Sequence, residues 1–185
     1  MSDLEVLVRG VIGRLCNDLK NEKFVPILES DIIAHIYHLM ILEGVSVASI
    51  HVNSRVVGLK NENEKIDLVI GEVIWREDGK RAVRSHLIAE VKAFFKDFSD
   101  QQCRRCFTNL IGELNEKEKK KRGDLEKLGE VDCGYKYMLI FDEKGYLQGT
   151  YGEEKREYVL KKKRDSIAPD AKILIIIPRY ELKEL

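Results

Sequence analysis

Long apolar runs are missing from this sequence, and so is any surplus of one charge. The longest apolar stretch, Ile173 to Ile177, falls far short of the roughly 18 residues a membrane span needs, so no partner membrane is expected. The opening residues, Met1 to Leu15, carry charges throughout and lack the apolar core and small-residue cleavage site of a secretory signal. The expectation is a cytoplasmic protein. The 32 Lys and Arg side chains are cancelled by 32 Asp and Glu. That balance disfavours nonspecific coating of a polyanion and leaves open binding at a locally positive site. Cysteines stand only at 16, 103, 106 and 133, too few and too scattered for a disulfide scaffold, so reduced thiols are expected.

What is present suffices for one core. With 185 residues, 44% of them hydrophobic, the chain reads as a single domain over 1–185. Leu4, Leu7, Val8, Val11, Ile12, Leu15 and Leu19 predict an amphipathic helix over 3–20. Ile32, Ile33, Ile36, Tyr37, Met40 and Ile41 predict a second, from Ser30 to Glu43, stopped by Gly44. From Val45 the texture becomes β-branched, and strands are expected around 45–57, in KIDLVIGEVIW and in RAVRSHLIAEVKAFF, the last two joined by a turn at Glu77-Asp78-Gly79-Lys80. Cys103, Cys106, Phe107, Leu110, Ile111 and Leu114 predict a helix over 99–116 with Ser99 as its cap. NEKEKKKRGDLEKLGE reads as a charged connector, YKYMLIFDE as a buried strand, 153–164 as a helix, and AKILIIIPRY as a last strand ended by Pro178. The order ααβββαβαβ describes an α/β domain with a central mixed sheet flanked by helices.

Three charges interrupt this pattern. Asp67 in KIDLVIG, and Glu90 and Lys92 in HLIAEVKAFF, sit inside otherwise apolar strands, where a charge is costly unless it is paired or binds a metal. Side chains alternate along a strand, so Glu90 and Lys92 share one face while Val91 points into the core. A neighbouring strand bearing Asp67 would bring two carboxylates and an ammonium together. Phosphodiester hydrolysis uses such a set: hard oxygen ligands for Mg²⁺ or Mn²⁺, and a cation to position the nucleophile or stabilise developing charge.

Asp67, a 22-residue interval holding one hairpin, and then Glu90-Val91-Lys92 resemble the PD-(D/E)xK, or restriction-endonuclease-like, nuclease superfamily. The resemblance covers roughly residues 25–115. It implies a helix with an acidic residue, strands bearing the Asp and the ExK motif, and a helix over the site. Glu29 would be the first-helix acid, with Asp31 as the competing choice. Asp67, Glu90, Glu29 and the Val91 carbonyl would hold Mg²⁺ or Mn²⁺, and Lys92 would be the catalytic lysine. The implied function is a metal-dependent nuclease, DNA endonuclease first, with a catalytically silent nucleic-acid-binding or assembly subunit as the alternative. A homodimer or a recruiting protein partner would complete so small a DNA cleft. The exonuclease branch carries Gln-x-x-x-Tyr in the helix after ExK. Here Gln101 and Gln102 are followed four positions later by Arg105 and Cys106, so an exonuclease is unsupported, while Gln101, Gln102 and Arg105 remain candidates for phosphate contact.

Other features have plainer readings. Cys103 and Cys106 form a CxxC, but both fall on an apolar helix stripe and read as core residues. His35 and His38 read as ordinary helix positions rather than metal ligands, and His51 and Asn53 as structural. The runs Lys119–Arg122 and Lys161–Arg164 read as solvated faces, with phosphate contact as the second reading. Trp75, Tyr135 and Tyr137 read as packing residues.

Overall fold

The computed structural model describes residues 3–112, 122–177 and 179–185. Helices α1 (Asp3–Lys20) and α2 (Glu29–Leu42) come first and bury the predicted stripes against each other, Val8, Val11, Ile12, Leu15 and Leu19 meeting Ile32, Ile33, Ile36, Leu39 and Met40. Asp31 Oδ2 accepts the amides of Ile27 (2.9 Å) and Leu28 (2.8 Å), fixing the chain as it enters α2. These are donors the helix itself leaves orphaned.

A 3₁₀ turn at Val47–Ser49 delays strand β1 to Ile50–Ser54, later than the β-branched texture suggests. β2 (Ile66–Trp75) and β3 (Arg81–Phe94) form the expected hairpin. α3 (Asp100–Ile111) opens on a reciprocal cap, with the Gln102 amide bonded to Ser99 Oγ (3.2 Å) and the Ser99 amide to Gln102 Oε1 (2.8 Å). It closes on Gly112, left-handed at φ 72. The predicted continuation to 116, with Leu114, lies outside the described residues, as does Pro178.

One correction concerns the charged connector, whose second half is helix α4 (Asp124–Glu130), with Leu125 and Leu128 buried. β4 (Tyr135–Asp142), a small hairpin of β5 (Thr150–Tyr151) and β6 (Glu154–Lys155), α5 (Arg156–Ile167), β7 (Ala171–Ile177) and β8 (Glu181–Glu184) complete the order. α4, the β5–β6 hairpin and β8 are therefore additions to the predicted sequence of elements. β8 is short, charged and at an edge, so neither length nor alternation betrays it.

The six-stranded sheet runs β1-β2-β3-β4-β7-β8. Its outer pairs are antiparallel, while β3 to β4 and β4 to β7 are parallel. This is the mixed α/β sheet with helices on both faces that the pattern predicts. One face carries α1 and α2 and takes Ala89, Val91 and Ala93 of β3; the other carries α3, α4 and α5 and takes Ile88 and Phe94. No described helix is long and apolar enough to cross a membrane.

Candidate functional site

The site forms where β2 and β3 part. Their ladder reaches Leu68 opposite Ala89, and Asp67 and Glu90 are the next residues on the two strands. Beyond that point the Val91 amide donates to Asp67 Oδ2 at 2.8 Å instead of to a backbone carbonyl of β2. β3 nevertheless continues its parallel pairing with β4 through Phe94, so it stays anchored on one side while its other edge opens. Strand alternation then puts Glu90 and Lys92 on the face of α3 and α4.

Glu29 reaches this opening from the first turn of α2. Its Oε2 accepts the Ala93 amide at 3.2 Å and lies 3.5 Å from Lys92 Nζ. Asp31 turns away to cap its own helix. Of the two candidate first-helix acids, Glu29 is therefore the one brought to Lys92.

Two residues the sequence reading missed complete the cluster, both on α4. Asp124 Oδ2 lies 3.3 Å from Lys92 Nζ; Lys127 Nζ lies 2.5 Å from Glu90 Oε1, 3.1 Å from Asp124 Oδ1 and donates to the Lys65 carbonyl at 3.4 Å. α4 is held close by two glycines: a Cβ at Gly123 would collide with the backbone of Gly112, and one at Gly129 with the Ile167 carbonyl. The available signal was Leu125, Leu128 and Val131 at helical spacing beneath the charges. The surrounding lysines and glutamates masked it.

The electrostatics follow from burial. Glu90 is 1% exposed. Desolvation, then the charges of Asp67 and Asp124, push its carboxyl well above the usual range, against the pull of Lys127. Glu29 is raised, again first by burial, with Lys92 opposing and Asp67 and Asp124 adding to the shift. Burial alone would lower Lys92, but Asp124, Glu29 and Asp67 outweigh it and the ammonium is held more firmly than usual. Lys127 follows the same logic with Glu90 and Asp124. Fully ionised, the four carboxylates exceed the two ammoniums by two negative charges.

That excess and the hard oxygen donors suit a divalent cation, and Asp67, Glu90 and the Val91 carbonyl are the candidate ligands. The side chains stand in ion pairs rather than in a coordination shell: among the described residues no group of three or more His, Cys, Asp or Glu is arranged to hold a metal ion. The oxygen donors are of the type a divalent ion takes, and a coordination shell would require the ion pairs to rearrange.

The other candidates divide. Gln102 is engaged in the α3 cap, while Gln101 and Arg105 are exposed on the same helix. Cys106, on that helix, feels the charges of Lys92, Glu29, Arg105 and Asp124, and burial raises its thiol. Cys103 is a core residue, and Cys16 and Cys133 are free thiols elsewhere. His35 pairs with Asp18 at 3.0 Å and stacks on Phe24, away from the acids, with His38 beside it. His51 approaches the Gly71 carbonyl at 3.3 Å, and Asn53 adopts a left-handed φ of 49 beside the Asp67 end of β2. Arg164 is spent on the Ala171 and Leu185 carbonyls, Lys161 and Lys162 are exposed, and of the other run only Arg122, paired with Glu64 and Glu130, is described; Lys119, Lys120 and Lys121 lie outside the described residues. Tyr137 is buried as expected and Tyr135 packs beside it, but Trp75 is not a core residue: it is 66% exposed, with Arg81 4.8 Å from its ring centre. Trp75 lies at the hairpin end of β2, beyond the helices that cover the rest of the sheet.

Comparison with family models, with characterised proteins and with solved structures finds no match to this chain.

Proposed function

We propose that the chain is a divalent-metal-dependent nuclease of the restriction-endonuclease-like type, hydrolysing phosphodiester bonds, with DNA cut internally as the first substrate to test. The observation that carries the reading is the opening of the β2–β3 ladder at Asp67 and Glu90, with Lys92 on the same face and Glu29 reaching it from α2. A parted pair of strands leaves Asp67 and Glu90 side by side without a ladder between them, and β4 keeps β3 in place.

In this reading Asp67, Glu90 and the Val91 carbonyl hold Mg²⁺ or Mn²⁺, which when bound polarises the phosphate and makes water more acidic. Lys92 positions the nucleophile or meets the charge developing on the phosphate. Glu29 keeps the Lys92 ammonium in place through Oε2, which is anchored by the Ala93 amide. Gln101 and Arg105, exposed on α3, are the candidates for touching phosphate oxygens in this reading.

The pairing of both lysines favours a second reading, a catalytically silent subunit that binds nucleic acid or assembles with a partner. Lys92 is shared by Glu29 and Asp124, and Lys127 by Glu90 and Asp124, so both ammoniums are already engaged within the cluster. Purified chain incubated with supercoiled plasmid and with branched DNA decides between them. The nuclease reading expects cutting that needs Mg²⁺ or Mn²⁺, stops on chelation, and disappears in Asp67→Ala and Lys92→Ala. DNA binding without cutting under every divalent metal would falsify it and leave the silent subunit.

A further inference from the structure

Lys127 fills a nest of hard oxygen donors that includes one of the proposed metal ligands, Glu90. Two carboxylates and a main-chain carbonyl, from Glu90, Asp124 and Lys65, gather round its Nζ at 2.5, 3.1 and 3.4 Å. These are the ligand types of a hard divalent ion, arranged here around an ammonium tethered to α4. Lys92 shares Asp124 with Lys127 but has Glu29 as its second partner where Lys127 has Glu90, so the two lysines meet different acids. Lys92 reaches across to Glu29 of α2, and Lys127 covers the buried carboxylate of Glu90.

We propose that Lys127 is a resident counter-ion of the metal site, which a divalent cation must displace from Glu90 before binding. The proposal rests on the reading of Asp67 and Glu90 as metal ligands. Without a divalent ion, a carboxylate as enclosed as Glu90 can stay ionised only against a nearby cation, and the Lys127 ammonium is the one in contact with it. When the cation arrives, Asp124, three residues before Lys127 on the same helix, keeps the displaced ammonium paired. α4 thus sets the metal concentration at which the site loads.

Mn²⁺ binding to the full chain, followed by loss of the free-ion EPR signal, tests this without any cleavage assay. Removing the competing charge in Lys127→Gln should tighten binding about tenfold or more, since one unit charge at contact distance is lost. Lys127→Arg should stay near wild type, and Glu90→Gln should abolish binding. If Glu90→Gln abolishes binding but Lys127→Gln binds no more tightly than wild type, the counter-ion proposal falls and the metal-site reading stands. If Glu90→Gln leaves Mn²⁺ binding intact, the metal-site reading falls and takes the proposal with it. Because Lys127→Gln strips Glu90 of its partner and risks unfolding, the wild-type chain supplies a second measurement. With ¹⁵N-labelled lysine, the Lys127 Nζ signal, assigned by its loss in Lys127→Arg, should move in step with Mg²⁺ binding. A signal that stays fixed while Mg²⁺ saturates the site overturns the proposal.

Discussion

Along β3, adjacent residues meet opposite surroundings. Ala89, Val91 and Ala93 enter the apolar layer under α1 and α2, whereas Glu90 and Lys92 enter a cluster of charges under α3 and α4. The first face holds the sheet by burying apolar area. The second spends stability, because enclosed charges lose hydration that their mutual pairing only partly restores. Both faces belong to one rigid strand, so the apolar face supplies the stiffness that keeps the charged face in place.

Neighbours on β2 break this comparison most directly. Asp67 faces the charged cluster and Leu68 the apolar core, where it is fully buried. Asp67→Asn keeps an acceptor for the Val91 amide and removes a charge; DNA cutting should fall at least about a hundredfold, the scale of the several kcal/mol that metal-borne charge stabilisation supplies. Its urea midpoint should barely change. Leu68→Ala should do the reverse, losing about 2–5 kcal/mol of stability to the cavity it leaves while cutting per folded molecule persists. Equal stability losses in the two variants would show that the faces are not divided in this way.

Glu90→Gln sharpens the cost of the charged side. Burial, then Asp67 and Asp124, raise the Glu90 carboxyl in the folded chain, so folding favours its protonated form. The resulting stabilisation is complete below the ordinary glutamate range and is lost as pH rises through the raised folded value. In metal-free protein, wild-type stability should therefore decline across that window and the glutamine variant should decline less. Glu29 and Asp142, shifted in the same direction, contribute to the slope that remains. Urea midpoints measured over a pH series in chelator check this, and identical slopes for the two proteins would contradict it.

The apolar face was the more legible one in the sequence. Val8, Val11 and Ile12 repeat at the helical period, and Val91 between Glu90 and Lys92 follows the strand period, so local spacing places them. Asp67, Glu90 and Lys92 stand out because a charge in an apolar strand violates that same pattern. Asp124 and Lys127 violate nothing: they are charges among charges, on a seven-residue helix. Only the approach of α4 to α3 and α5, through Gly123 and Gly129, carries them to Glu90. The contrast between Glu29 and Asp31 was likewise a matter of side-chain direction, since Asp31 caps its own helix while Glu29 meets the Ala93 amide. Trp75 was misplaced because hydrophobicity alone does not reveal that the hairpin end of β2 outruns its covering helices.

The smallest expected effect comes from the lid of the charged face. α3 packs against β3 and α4 on that face and is fastened at its start by the reciprocal Ser99–Gln102 bonds. Ser99→Ala removes one of them and should cost about 1 kcal/mol of global stability, the usual worth of such a cap. Hydrogen exchange gives the finer test. Amides in the first turn of α3 should exchange faster, whereas those of α1, on the opposite face, should slow or quicken only with global unfolding. If α1 loosens along with α3, the two faces are one cooperative unit, and the charged cluster is held by the whole sheet rather than by its own helices.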